Sequence, residues 1–164
     1  MQLAGGGSAA EAATTAAEEE KKDNSSFSGF TFEKQTQSLM DSVSQRTCKE
    51  NIIQLAVDLD TCIISTKKTI PFDGCSRKER LRLLLTMAKE NGGPSLFVFR
   101  VDFRSNSPEW ALLAWVPEDS VSYAERMFFC TALSWLSGTF VDARSPVREY
   151  YITEEAELPC FKWT

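Results

Sequence analysis

The stretch from Ser95 to Gly138 constrains this chain more than any other. Ser95 to Phe103 and Glu109 to Val116 are runs of apolar, β-branched and aromatic residues, separated by a polar break from Arg104 to Pro108. Runs of this length and composition read as buried strands, and the short polar link makes them neighbours in a hairpin. A helix-length run, Asp119 to Ser137, follows Pro117. Glu118, Asp119 and Ser120 place acidic and hydroxyl groups where the first amides of a helix lack partners, and Gly138 supplies a stop. The segment is therefore strand, strand, helix, with both ends of the helix marked.

The helix carries an excess of apolar residues. At about 100° per residue, Val121, Phe128, Phe129, Ala132 and Leu136 gather on an arc that can cover a sheet. Met127, Cys130, Thr131 and Ser134, with Tyr123 and Arg126, gather on the opposite arc. A helix lying on a sheet normally turns a charged face to water, yet this outer arc holds one charge. Two readings follow. Another segment of the same chain covers the arc, or a partner docks there, as exposed semi-apolar patches commonly indicate.

Other function classes are narrowed by composition. The 164 residues suit one domain with a tail, and 43% hydrophobic content supports a core. No run of about 18 apolar residues is present, and the amino terminus lacks a basic region followed by an apolar stretch, so neither a membrane span nor a secretory signal is expected. Five widely spaced cysteines, with no Cys-x-x-Cys pair and no histidine, fit reduced thiols in the cytoplasm better than a disulfide frame or a metal site. A net charge of −5 argues against nucleic acid as a partner. The lack of histidine removes the commonest general base. Asp58 with Asp60, and Glu154 with Glu155, are the candidate carboxylate pairs, and both sit where turns and helix starts favour acids. Gly5 to Gly7 lies in low-complexity sequence and Gly92-Gly93 precedes a strand, so neither forms a phosphate loop. No enzyme activity and no cofactor are expected.

Residues 1–27 are rich in Ala, Gly, Ser, Thr and Glu and read as a disordered, low-complexity acidic tail. Five acids against two lysines give the tail −3, which leaves the remaining chain near neutral. Residues 28–164 form the folded domain. Thr31 to Arg46 has helical spacing with Thr31 as N-cap. Asn51 to Asp58 and Thr61 to Lys68 are strands around a tight turn. Ser76 caps a helix to about Asn91, which begins with the basic cluster Arg77, Lys78, Arg80 and Arg82. Cations there oppose the helix dipole, so the cluster is either a solvated face or a contact for an acidic surface or lipid headgroup. Val147 to Ile152 is a strand, and Thr153 to Leu158 opens a short helix that Pro159 cuts off. The element order gives an α/β domain: a central mixed sheet of five or six strands sandwiched between helices.

This order resembles the actin-depolymerising factor homology (ADF/cofilin) domain, a gelsolin-like architecture, over Ser28 to about Phe161. The residues that carry the resemblance are Phe97 to Asp102, Glu109-Trp110, Ala114 to Ser120, and Arg126-Met127 with an aromatic two positions on. They look most like the amino-terminal domain of twinfilins, while Ser28-Gly29-Phe30 is similar to the start of cofilins. The resemblance implies binding of an actin monomer at the cleft between two actin subdomains, with cytoplasmic, cytoskeletal localisation. Matched residue by residue, the implied contacts are Ser28 and Gly29 at the amino-terminal edge and Arg126 and Met127 on the long helix. The arc adds Cys130 and Ser134.

The chain departs from the family where Ala124 replaces a second basic residue, and where Leu133, Ser137 and Gly138 replace further cations. Fewer cations mean weaker charge steering, so monomer sequestration is expected ahead of filament binding and severing. A cofilin- or coactosin-like filament binder and a scaffold that has lost actin remain the competitors. Arg77, Lys78, Arg80 and Arg82 are, where not simply a solvated face, the candidate contact for phosphoinositide lipid or an acidic surface, Ser28 is a candidate phosphorylation site, and capping protein is an implied partner if a twinfilin tail follows.

Overall fold

The computed structural model describes residues 29–71, 73–74, 76–101, 109–140 and 147–160, with the backbone alone at Arg77 and residues 158–160. The expected acidic tail at 1–27, the edge residue Ser28 and the polar link after the first central strand lie outside the described residues.

Six strands alternate with three helices: β1 (Thr31–Phe32), α1 (Lys34–Ser44), β2 (Glu50–Val57), β3 (Ile63–Pro71), α2 (Arg77–Asn91), β4 (Ser95–Arg100), β5 (Trp110–Trp115), α3 (Tyr123–Gly138) and β6 (Arg148–Ile152). The strands form one mixed sheet in the order β1-β3-β2-β4-β5-β6. The β1–β3 and β5–β6 pairs are parallel and the inner pairs antiparallel. The expected hairpin is β4–β5, paired from Ser95 opposite Trp115 to Arg100 opposite Trp110.

Period-two alternation divides the two central strands between two cores. Leu96, Val98, Trp110, Leu112 and Ala114 face α1 and α3, where they meet Met40, Val43, Phe129, Ala132, Leu133 and Leu136. Phe97, Phe99, Ala111, Leu113 and Trp115 face α2, where they meet Leu84, Met87 and Ala88. Every residue of β5 is buried, which explains why its sequence is a continuous apolar run. A buried polar pin holds α2 to the sheet: the Gln54 amide donates to the Met87 carbonyl at 3.4 Å and to Ser95 Oγ at 3.2 Å.

Three of the helix readings change, each for a local physical reason. Thr31 is not a helix cap. Its amide donates to the Cys62 carbonyl, and the Glu33 amide to that of Ile64, so β3's edge captures this segment as β1 and α1 starts at Lys34. The long helix starts at Tyr123, not Asp119. Glu118–Ser120 form a separate 3-10 turn, and Val121 is extended (φ −132°, ψ 139°) and buried. Ser122 then caps α3: its hydroxyl accepts from the Glu125 amide and the Glu125 carboxylate accepts from the Ser122 amide, a reciprocal arrangement that satisfies two orphan donors. Ser76 and Glu79 cap α2 in the same way, and Gly92 (φ 66°) closes it in the left-handed conformation. The short final helix is a 3-10 turn, Glu155–Cys160, that runs through Pro159. It is held from below by Glu157, whose carboxylate accepts the Thr153 and Glu154 amides.

Candidate partner-binding face

Helix α3 lies on β5 and β6 with Phe129, Ala132, Leu133 and Leu136 buried beneath it. Its outward strip consists of Tyr123, Ala124, Met127, Thr131 and Ser134, all exposed, with Tyr123 at 76% and Met127 at 50% of full exposure. Among the described residues no element covers Met127, so none of them buries the centre of the apolar outer arc. An exposed thioether and phenol side by side on a helix that already covers a sheet form a semi-apolar surface with one end wet and one end greasy.

Two flanks frame the strip. On one side Phe128 is not under the sheet, as the wheel suggested, but turned toward the amino-terminal edge. Its ring packs edge-on against Phe30 (5.1 Å, 64°), and Phe30 also meets Trp135 at 5.8 Å. Trp135 in turn meets Phe32 at 4.9 Å. This aromatic group carries the chain edge to the helix, so exposed Gly29 sits beside α3 rather than remote from it. A Cβ on Gly29 would meet nothing within 4 Å.

The other flank is formed by Arg126, Cys130 and Tyr151. Tyr151 pairs with Ala114 across β5–β6 and so points to the α3 side of the sheet, where it remains 37% exposed. Burial pushes its hydroxyl pKa up, the neighbouring Cys130 adds to the shift, and Arg126 opposes it. Cys130 is therefore half-covered by β6 and belongs to the rim, not to the open strip. Arg126 does not project. Its Nη1 lies 3.4 Å from Glu118 Oε1, its Nη2 donates to the Glu118 carbonyl at 3.1 Å, and its Nε is buried.

The structure thus brings together Gly29, Ala124, Arg126, Met127, Cys130 and Ser134, and adds Tyr123 and Tyr151. Sequence spacing already put Tyr123 on the outer arc. Tyr151 had a weaker signal, the alternation Glu149, Tyr151 against Tyr150, Ile152 in a strand whose partner was unknown.

The basic start of α2 lies against the opposite face of the sheet, and it is not one surface. Lys78 and Arg82 are exposed, whereas Arg80 is only 3% exposed, with Nη1 donating to the Arg100 carbonyl at 2.6 Å. Arg80 is corrected from a headgroup contact to a structural residue: its side chain ties α2 to the end of β4. The carboxylate pairs also have local work. Asp58 accepts the amides of Asp60 and Thr61 and closes the β2–β3 turn, and Glu155 is ion-paired to Lys89 at 2.6 Å. Among the described residues no helix is long and apolar enough to cross a membrane, and no cluster of three or more Cys, Asp or Glu could hold a metal ion.

No protein-family model matches the sequence, and a search of curated proteins finds no match. Solved structures do match. An Entamoeba twinfilin superposes with a TM-score of 0.61 at 17% identity, covering 78% of this chain and 90% of its own. Plasmodium berghei actin depolymerization factor 2 gives 0.59 at 12% identity over 82% and 96%. Human coactosin-like protein gives 0.53 at 15% identity over 79% and 81%. At these identities the likeness establishes the fold: a six-stranded mixed sheet with three helices, the ADF/cofilin fold.

Proposed function

Starting from that fold, we propose that the chain is an actin-binding domain that docks an actin monomer on the outward strip of α3 and the adjoining amino-terminal edge, acting by stoichiometric contact without chemistry in the cytoplasm. The observation that carries this reading is the uncovered strip. Tyr123 and Met127 stay exposed on a helix whose other side is fully used by the core, and exposed apolar groups of this kind cluster at protein interfaces. The fold neighbours named twinfilin and actin depolymerization factor support the choice of partner. Gly29 supports the second half of the face. Its own domain imposes no steric need for glycine there, whereas a partner backbone at close range would.

The distribution of charge favours monomers over filaments. The last two turns of α3 expose Thr131, Ser134 and Gly138 without a cation, so the second basic surface that filament binding calls for is not found there. Sequestration of monomers then follows from occupancy of their cleft.

The test is titration of labelled monomeric actin with the wild type and the Arg126→Ala, Met127→Ala pair. Saturable binding weakened by about tenfold, or 1.4 kcal/mol, in the pair is the expected result. Equal binding by the pair overturns the assignment of the face. Co-sedimentation with filaments in preference to monomers would make the chain a filament binder, and binding to neither would make it a scaffold that keeps only the fold.

A further inference from the structure

The face assigned above carries its one guanidinium in an unusual way for a site that meets an acidic partner. Arg126 is the single Lys or Arg of α3. Its Nη1 faces the Glu118 carboxylate, its Nη2 donates to the Glu118 carbonyl, and its Nε is buried against the domain. The guanidinium therefore lies down along the 3-10 turn that precedes the helix, with two of its nitrogens facing a single residue. Asp119 lies in the same 3-10 turn and Glu125 in the first turn of α3. Glu125 is committed to the cap through the Ser122 amide and hydroxyl, so it cannot release Arg126 by exchanging partners with Glu118. From Glu118 to Arg126 the chain thus carries three carboxylates and one cation, and that cation is ion-paired.

We propose that Glu118 is a specificity-determining residue of this face: it clamps Arg126, cancels the strip's positive charge, and selects a partner surface that offers an apolar pocket rather than an acidic patch. This rests on the reading that the face docks an actin monomer, and it states how that docking is controlled. A desolvated Arg126 brings its own carboxylate into the interface. An acidic group on the partner then gains little from the guanidinium and is repelled by Asp119. Charge steering accelerates association when the two surfaces carry opposite potentials; with the clamp closed, the wild-type domain lacks that acceleration and its on-rate does not fall as salt is added.

The experiment combines stopped-flow association with labelled monomeric actin, from low to physiological salt, and side-chain NMR of the Arg126 Nε–H in the free domain. Wild type, Glu118→Gln, Arg126→Gln and the double variant are compared, with thermal unfolding as the check that each is folded. In the wild type the Arg126 Nε–H exchanges more slowly than that of exposed Arg82, and Glu118→Gln, which leaves the guanidinium only its bond to the Glu118 carbonyl, reduces the difference. The same substitution raises the low-salt on-rate about threefold or more over the wild type, and the gain shrinks as salt screens the freed charge. The double variant behaves as Arg126→Gln does. A folded Glu118→Gln domain with the wild-type on-rate at every salt concentration overturns the proposal while leaving actin binding intact. If no variant binds actin, the functional reading fails instead, and the clamp is judged on exchange alone: an unprotected wild-type Nε–H, or protection that Glu118→Gln leaves unchanged, refutes it, and protection that Glu118→Gln reduces upholds it.

Discussion

Phe30 is the residue on which the two halves of the face depend, and its replacement has a magnitude that the geometry fixes. The ring is 7% exposed and touches Phe128 at 5.1 Å and Trp135 at 5.8 Å. Phe→Ala in a closed core costs about 3–5 kcal/mol. Phe30 sits where the chain enters the sheet and its cavity opens to water on one side, so the lower end, about 3 kcal/mol, applies. For a domain of this size that is a fall in Tm of roughly 6–12 °C. Phe30→Leu keeps most of the apolar volume and removes the two ring pairs, each worth about 0.5–1.5 kcal/mol, so about 1–2 kcal/mol is expected after partial repacking. Urea unfolding measures both, and a double-mutant cycle of Phe30→Leu with Phe128→Leu isolates the pair at about 0.5–1.5 kcal/mol. Amide exchange at Thr31, whose N–H bonds the Cys62 carbonyl, should accelerate in step. A loss below about 1 kcal/mol for Phe30→Ala, with no coupling to Phe128, would refute the claim that this ring carries the chain edge to the helix.

Four further outcomes follow from the same geometry. Met127 is half-exposed, so docking can bury about half of the roughly 1.5–3 kcal/mol that a Met side chain gains on burial; Met127→Ala should weaken actin binding about four- to twelvefold and leave unfolding within about 0.5 kcal/mol of wild type. Ser122→Ala removes the cap of α3 and should cost about 1 kcal/mol in urea unfolding. The carboxyl groups of Glu79, Glu125 and Glu157 are all held below the ordinary glutamate range by hydrogen bonds from Ser76, Ser122 and Thr153. Because their folded pKa is depressed, the stability they add is present above the unfolded value of about 4.3 and is lost as pH falls through the folded one; thermal unfolding should be flat from neutrality to about pH 5 and decline below it, less steeply in Glu125→Gln. Arg80→Ala strips a buried guanidinium and its bond to Arg100, and about 2–4 kcal/mol should be lost, while Lys78→Ala at the exposed start of the same helix changes unfolding by less than about 0.5 kcal/mol.

The contrast between Arg80 and Lys78 indicates what the sequence could and could not carry. The β4–β5 hairpin was readable because both faces of those strands are covered, which makes each a continuous apolar run; which residue faces which core was not, because such a run hides the period of two. The capping boxes were written in the sequence as well, Ser76 with Glu79 and Ser122 with Glu125, yet only Ser76 drew notice because Glu118, Asp119 and Ser120 offered an earlier, weaker start signal. Arg80 was not readable at all. A guanidinium can be buried only when something across the fold accepts its protons, and the Arg100 carbonyl is 20 positions away.

The same distinction governs the face itself. Met127 and Tyr123 were legible as outward because the wheel fixes which residues oppose Phe129, Ala132 and Leu136. Phe128, Cys130 and Arg126 lie at the margins of that wheel, where the neighbour decides: Phe30 draws Phe128 to one side, Tyr151 lies against Cys130 on the other, and Glu118 pairs with Arg126. Periodicity therefore identifies the centre of a docking strip, and tertiary contact assigns its rim. In a domain whose strip carries a single cation, the rim decides whether that cation is available to a partner, so the charge character of the interface is a property of Glu118 as much as of the helix.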